Sequence, residues 1–562
     1  MFQRLILAAS VAAICNIAYA KPEKGVTLDL LGSFDATTEA GSFDDGAAEI
    51  IAHDARGQRL FVINSNLGQV DVLDLGNPEA PARLGQLDVA QDMFANGIVP
   101  DAGAIGGVNS VAVHAGLVAV AVEHDDKQAS GWVAFYSTEG EFVSAVVAGA
   151  LPDAVTFTHN GNYLLVANEG EPSDDYQVDP EGSITIVDLR NGAETPVVAT
   201  ADFKAFNSSN VPEGVRISSP VAGNTVAQDL EPEFIATSRD SRTAWVTLQE
   251  NNAIAEVDIP SATVIALYPL GAKDHSLPGQ GLDPSNRDDS INIMNWPVSG
   301  LYMPDGMTSY TTRGQTYLVT ANEGDGREYI FDSTEEDCPD APYYEYDDGE
   351  CIYLDEARVK DIVLDDEVFP NAEYLQENEQ LGRLKIVATE GHAGDGVYTK
   401  LYSYGARSIS IWSASGELVW DSGDIIEQQT ALADPSNFNS TNDENGSFDD
   451  RSDDKGPEPE GVVVGKVRGK QYAFVGLERV GGVMIFDVTT PEDSQYVGYV
   501  NNRNFSVEDV EEDVESAVST VGDLGPEGLV FIPEEDSPTG EPLLVVGNEI
   551  SGTTTIYRVV AQ

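Results

Sequence analysis

Short apolar runs recur along the chain in a fixed order, and that order predicts the fold. Seven of them open a repeating unit. Five start on proline and an acid: "PDAVTF" at Pro152, "PEFIAT" at Pro232, "PDGMTS" at Pro304, "PEGVVV" at Pro459 and "PEGLVF" at Pro526. "AEIIAH" at Ala48 and "VNSVAV" at Val108 fit the same register. After a short turn each is followed by a second run that ends on a polar pair, as in "YLLVANE", "YLVTANE" and "LLVVGNE". A third run follows, such as "SITIVDL" or "GVMIFDV". Most alternate with period two and are rich in Val, Ile, Tyr and Phe, which is the pattern of strands. Six units add a fourth run, among them "PVVATAD" and "QYVGYVN". The seventh stops at "TTTIYRVVAQ", and "VTLDLLGSFD" at Val26 to Asp35 can supply its missing strand. The repeat predicts an all-β, seven-bladed β-propeller spanning residues 26–562, closed by an N-terminal strand so that no sheet edge is left free.

Loop lengths predict where the irregular chain lies. Turns between first and second strands, and between third and fourth, are short. Long insertions at 203–228, 271–303, 423–456 and 501–525 fall between units, and 329–405 falls inside the fifth, between its second and third strands. Both kinds of connection emerge on one face of a propeller, so that face is expected to carry a cap, with a short helix within Asn371 to Leu384. Functional residues favour loops held on a rigid scaffold.

Residues 1–20 read as an export signal: Arg4, an apolar stretch from Leu5 to Ile14, and Ala18-Tyr19-Ala20 before the cut. Ile14 is too large for the residue before a lipidated cysteine. Cys338 and Cys351, the two cysteines beyond the leader, read as a local disulfide of an oxidising compartment. A periplasmic or secreted protein follows, with no membrane span and a monomer expected. The chain ends on its last unit, so a protein free of any anchor is expected.

Charge narrows the partners. Ninety-five acidic residues against 30 basic ones give a formal net charge of -65. Such a surface repels nucleic acid and anionic lipid, and it attracts cations. The acids are also placed. First strands begin beside the axis, with Glu49, Asp153, Glu233, Asp305, Glu460 and Glu527 at their starts and Asn109 in the remaining unit. Second strands end on the same face, followed by Glu123, Glu169, Glu250, Glu323, Glu478 and Glu549. Carboxylates drawn together must be protonated, paired with bases or bound to metal. Two readings stay open. In one, Arg327, Arg407, Arg451, Arg479 and Arg503 pair with the acids in a structural network. In the other, Asp153, Glu169, Glu233, Asp305, Glu323, Glu460, Glu478, Glu527 and Glu549 hold a divalent metal. Oxygen ligands favour Ca²⁺, with Mg²⁺ or Mn²⁺ as alternatives. Arg327, Arg407, Arg451 and Arg479 would then hold a phosphate. Metal and arginine around a phosphoryl group equip a site for phosphoester hydrolysis.

Other chemistry is sparse. "DENGSFDDRSDD" spaces Asp443, Asn445, Ser447 and Asp449 as calcium loops do, but Phe448 stands where an EF-hand needs glycine. The six histidines have no zinc spacing, and only His124, beside Glu123, adjoins the acids. "GQGLDPSNRDD" is glycine-rich without a following helix, a weak phosphate cradle.

The phrases "ANEGEPSDDYQVDPEGSITIVD", "TANEGDGREY", "SYGARSISIW", "FDDRSDDKGPEPEGVVVG", "FVGLERVGGVMIFDV" and "GPEGLVFIPEEDSPTGEPLLVVGNEISGTTTIY" resemble the choice-of-anchor I proteins. That family looks related to mesenchyme-specific cell-surface glycoproteins of biomineralising animals. Its bacterial members are often labelled alkaline phosphatases. The resemblance implies an exported protein that acts either as a metal-dependent phosphoesterase on a small phosphorylated molecule, or without catalysis as a calcium-binding propeller of the envelope, matrix or mineral. It assigns no catalytic residue.

Overall fold

The computed structural model describes residues 25–37, 43–44, 46–208, 210–339, 341, 343–394, 396–507, 510 and 520–562. The export signal expected at 1–20 lies outside the described residues. Among the described residues, seven antiparallel sheets have four strands each. The first is built from Ile51–Asp54, Arg59–Asn64, Gln69–Asp74 and Ala82–Leu87 in chain order. The fifth takes Met307–Thr312 and Gln315–Asn322, then, after the long insertion, Ser408–Ser413 and Leu418–Asp421. The last combines Pro526–Ile532, Leu543–Asn548 and Thr553–Ala561 with the N-terminal strand Val26–Asp35. That strand pairs from Val26 with Ala561 to Asp35 with Thr553, with one irregularity between Leu30 and Gly32.

Side-chain alternation explains why the middle strands read as nearly continuous apolar runs. In Arg59–Asn64, Leu60 and Val62 point one way and pack with Leu543, Val545 and Ile556 of the last sheet. Phe61 and Ile63 point the other way and pack with Val118, Val120 and Tyr136 of the second. Both faces of the strand are therefore buried, each against a different neighbour. Full burial of each such side chain stabilises by about 1.5–3 kcal/mol. Further clusters join consecutive sheets in the same way, for example Trp245, Ile254, Leu318 and Trp412 between the fourth and fifth. Outer strands face solvent and are polar or weakly apolar, as in Val197–Asp202, where only Ala201 is buried. The molecule is thus an all-β, propeller-like assembly of four-stranded blades.

The insertions 271–303 and 329–405 share a small core of their own, in which Trp296 and Val298 meet Val359, Phe369, Leu381 and Leu384. Within Asn371 to Leu384 only Ala372–Leu375 is helical. Turn bonds from Leu381 N–H to Leu375 O and from Gly382 N–H to Glu377 O then fold the chain back, carrying Leu381 and Leu384 into this core. A helix, Ile425–Ala433, lies in the next insertion. Cys338 and Cys351 form a disulfide across the segment leading to Glu350–Leu354. No helix among the described residues is long and apolar enough to cross a membrane.

Candidate functional site: an acidic axial cavity

First strands start where second strands end. Pro152 pairs with Asn168, Pro459 with Leu477 and Pro526 with Asn548. The acid after each proline and the acid after each second strand therefore reach the same place, an axial cavity of about 830 Å³. Its wall contains all nine acids nominated from sequence: Asp153, Glu169, Glu233, Asp305, Glu323, Glu460, Glu478, Glu527 and Glu549. Glu49 and Glu250 join them, as do Glu171 and Asp325, which the strand pattern did not indicate. Asn109 is in the wall and Glu123 is not. Beyond the acids the wall turns apolar, with Ile51, Val111, Val155, Ile235, Val462 and Leu529.

In three of the five Pro-acid strand starts the next residue is glycine, and the cause is steric. A Cβ on Gly306 would lie 2.3 Å from the Glu460 carbonyl oxygen, one on Gly461 1.8 Å from that of Glu527, and one on Gly528 2.4 Å from that of Glu49. Backbones of successive blades meet around the axis at distances that only glycine permits.

Crowding sets the electrostatics. Burial, then the neighbouring charges of Glu549 and Asp153, pushes Glu49 up to about 8 against a hydrogen bond from Ser65. Burial raises Asp153, Glu250 and Glu549 to about 7. Glu169, Glu233, Asp305, Glu460, Glu478 and Glu527 are held well above the carboxylate range, first by burial and then by neighbouring carboxylates. The buried Oε2 atoms of Glu233, Glu250, Glu460 and Glu527 have no hydrogen-bond partner. Two groups of three, Glu49–Glu527–Glu549 and Glu323–Glu458–Glu478, each bring one oxygen per residue within 4.8 Å of the others. An ion contacted at about 2.3–2.6 Å can span such a set, which is the reach of Ca²⁺ with oxygen ligands. The cavity thus fits a hard divalent cation in ligand type, charge and spacing.

The arginines are placed differently. Arg327 is buried, and its Nη1 donates to Asp229 Oδ1 at 2.7 Å while its Nη2 reaches Glu231 Oε2 at 2.9 Å. Arg407 donates to Glu427 Oε1 at 2.8 Å and to the carbonyls of Asp283, Ser452 and Asp454, which wraps "GQGLDPSNRDD" and the following insertions around one guanidinium. Arg451 donates to Glu458 Oε1 at 2.7 Å and pairs with Asp454 at 3.1 Å. Of the four, only Arg479 lines the cavity, and it bridges Glu458 and Glu478 at 3.1 Å each.

Sequence reasoning missed the partners. Glu458 is fully buried and receives Arg451, Arg479 and Lys455. Burial pushes its carboxyl up, but the three cations outweigh that and hold it well below the usual range. Lys455 also donates to Glu323 at 2.9 Å. Arg216, paired with Asp355, ties the cap to the fourth sheet by donating to the Glu250 carbonyl at 3.0 Å. In "DENGSFDDRSDD", Asn445 donates to the carbonyls of Asn504 and Val507 and accepts from Arg503, and Asp449 accepts from Ser452. Asn445 Oδ1 and Asp449 Oδ1 are thus engaged by the protein itself, whereas the buried Asp449 Oδ2 has no hydrogen-bond partner among the described residues. His124 stacks on Trp132 and accepts from the Asp126 N–H.

Fold and cavity together define a propeller-like protein with an acidic axial funnel under a loop cap. The chain belongs to the choice-of-anchor I family, whose domain matches residues 49–491. It is 32% identical over 199 residues to Gigasin-3a of Magallana gigas, covering 33% of this chain and 66% of that protein. It is 31% identical over 334 residues to the mesenchyme-specific cell surface glycoprotein of Strongylocentrotus purpuratus, covering 53% of this chain and 41% of that protein. The chain therefore spans less than the full length of both relatives. Among solved structures, a streptogramin B lyase matches at 10% identity and a TM-score of 0.43, covering 96% of this chain and 100% of that one. A β-propeller domain from Myceliophteria thermophila matches at 9% identity and a TM-score of 0.40, covering 95% and 100%. Likenesses this distant carry no argument about function.

Proposed function

We propose that the protein is an exported, seven-bladed choice-of-anchor I propeller that binds divalent cations, Ca²⁺ foremost, in its axial funnel and acts without catalysis in the envelope or an extracellular matrix. The observation that carries this reading is the meeting of thirteen carboxylates with one arginine in a single cavity wall, with four buried carboxylate oxygens unpartnered. A blade count of seven is supported by the apolar cluster that joins the last sheet to the first. An extracellular or surface setting is supported by the disulfide and by the cell-surface name of one relative. Metal entry must displace protons from the raised carboxylates, so affinity rises with pH. Excess Ca²⁺ is expected to raise the melting temperature of the chelator-treated protein at pH 8. Absence of any shift with Ca²⁺, Mg²⁺ and Mn²⁺ would remove the reading.

One observation favours a second reading, a metal-dependent phosphoesterase. Arg479 stands in the wall beside Glu478, where a bound cation and a guanidinium would face one anion. Arg327, Arg407 and Arg451 do not support it, because buried acids and carbonyls already engage them. Turnover of a phosphomonoester panel that needs added metal and is lost in Arg479→Met would establish the enzyme. Metal binding without turnover leaves the first reading.

A further inference from the structure

We infer that the cation sits at the seam of the ring, on Glu49, Glu527 and Glu549, and clasps the first sheet to the last. The inference rests on the cation-binding reading above and specifies its site. Glu49 leads into Ile51–Asp54 of the first sheet, whereas Glu527 lies in Pro526–Ile532 and Glu549 follows Leu543–Asn548 of the last. An ion on all three would join the innermost strands of two blades, Ile51–Asp54 and Pro526–Ile532, which come from opposite ends of the chain.

Charge separates this triad from its twin. Glu323, Glu458 and Glu478 meet three cations of the protein: Lys455 on Glu323 and Glu458, Arg451 on Glu458, and Arg479 on Glu458 and Glu478. Each acid of that triad is thus already paired with a base of the protein. Among the described residues no lysine or arginine forms an ion pair with Glu49, Glu527 or Glu549. Among the described residues their one side-chain hydrogen bond comes from the Ser65 hydroxyl to Glu49 Oε2. Glu527 Oε2 is buried and has no partner at all. Three oxygens within 4.8 Å, one of them unsatisfied, with no direct ion pair and only the charge of Arg479 reaching Glu549 from nearby, make a site for an external cation of the Ca²⁺ class.

The same corner is where the chain closes. Ala36 N–H donates to Gly552 O and Asp44 N–H to Ile550 O. Gly528 lies against the Glu49 carbonyl so closely that a Cβ would be 2.4 Å away. A cation here therefore adds to the N-terminal strand's own closure.

Calcium titration by calorimetry of the full exported chain, compared with Glu549→Gln and Glu478→Gln, tests the assignment. Affinity is expected to fall at least about 10-fold in Glu549→Gln and to stay within about twofold in Glu478→Gln. Hydrogen exchange of the unmutated protein guards against a variant that merely misfolds. Calcium is expected to slow exchange in Val26–Asp35 and Thr553–Ala561 by about tenfold or more, and to leave Gln315–Asn322 unchanged. Loss of affinity in Glu478→Gln but not in Glu549→Gln, or protection confined to Gln315–Asn322, would overturn the seam site while leaving calcium binding intact. No calcium heat in the unmutated protein would overturn both the site and the reading beneath it.

Discussion

Glu458 and Glu460 stand two residues apart in "GPEPEG", yet neutralising them is expected to have opposite consequences. Glu458 is 0% exposed, and its two oxygens accept from Arg451 at 2.7 Å, Arg479 at 3.1 Å and Lys455 at 3.2 Å. Glu458→Gln leaves the buried Lys455 and the half-buried Arg451 and Arg479 facing an uncharged amide. Breaking a buried ion pair from one side costs about 3–5 kcal/mol. Unfolding entropy of about 2.1 cal/mol/K per residue over 562 residues is about 1.2 kcal/mol/K, so the melting temperature should fall by about 3–4 °C. Glu460 instead faces Glu478, Glu527 and Glu323, is held well above the carboxylate range by burial and then by those charges, and has an unpartnered Oε2. Glu460→Gln removes a repulsive charge, so the metal-free protein should melt no lower than the parent at pH 8. Calorimetric scans of both variants in chelator decide the matter. Equal destabilisation by the two, or a drop under about 1 °C for Glu458→Gln, would refute the division of acids into paired and unpaired sets.

Further outcomes follow from the same geometry. Glu49 at about 8 and Asp153, Glu250 and Glu549 at about 7 are raised above their unfolded values, so their contribution is full below about pH 4 and is lost as pH rises through 7 to 8. The metal-free protein should therefore melt progressively lower between pH 5 and pH 8, and excess Ca²⁺ should remove that decline, as a pH series of thermal scans would show. Gly461→Ala places a Cβ 1.8 Å from the Glu527 carbonyl and should destabilise by about 1–3 kcal/mol or more, read from denaturant midpoints. Arg327→Met strands Asp229 and Glu231 and should cost about 3–5 kcal/mol while leaving Ca²⁺ affinity within about twofold, a pairing of results that a phosphate-binding or metal-site role would not give.

The blades were legible because each inner strand lies between two neighbours. Leu60 and Val62 face one cluster while Phe61 and Ile63 face another, which writes an apolar run into the chain at every repeat. The acids were legible for a related reason: strand starts and strand ends recur at the same register, and the glycines after Asp305, Glu460 and Glu527 mark the crowded axis. Pairing was not legible. Arg327 finds Asp229 98 residues away, and Lys455 finds Glu323 132 residues away, through insertions whose paths no periodicity describes. Local pattern also cannot separate Glu458 from Glu460. The first adopts a positive φ of 48° just before the strand and turns to the basic side, and the second enters the strand and faces the cavity. The short helix expected within Asn371 to Leu384 is the single turn Ala372–Leu375, and it ends there because Leu381 and Leu384 serve a cap core shared with a distant insertion.

The central proposal is that the carboxylates of the funnel, held above the usual range by burial and in part unpartnered, bind a divalent cation in exchange for protons. Calcium titration at pH 6 and pH 8 in buffers of different ionisation enthalpy measures the protons released per ion bound. The account predicts binding that tightens by about tenfold or more per pH unit below pH 7, with at least one proton released per ion at pH 6. Binding that is absent at both pH values, or tight and without proton release at pH 6, would contradict it.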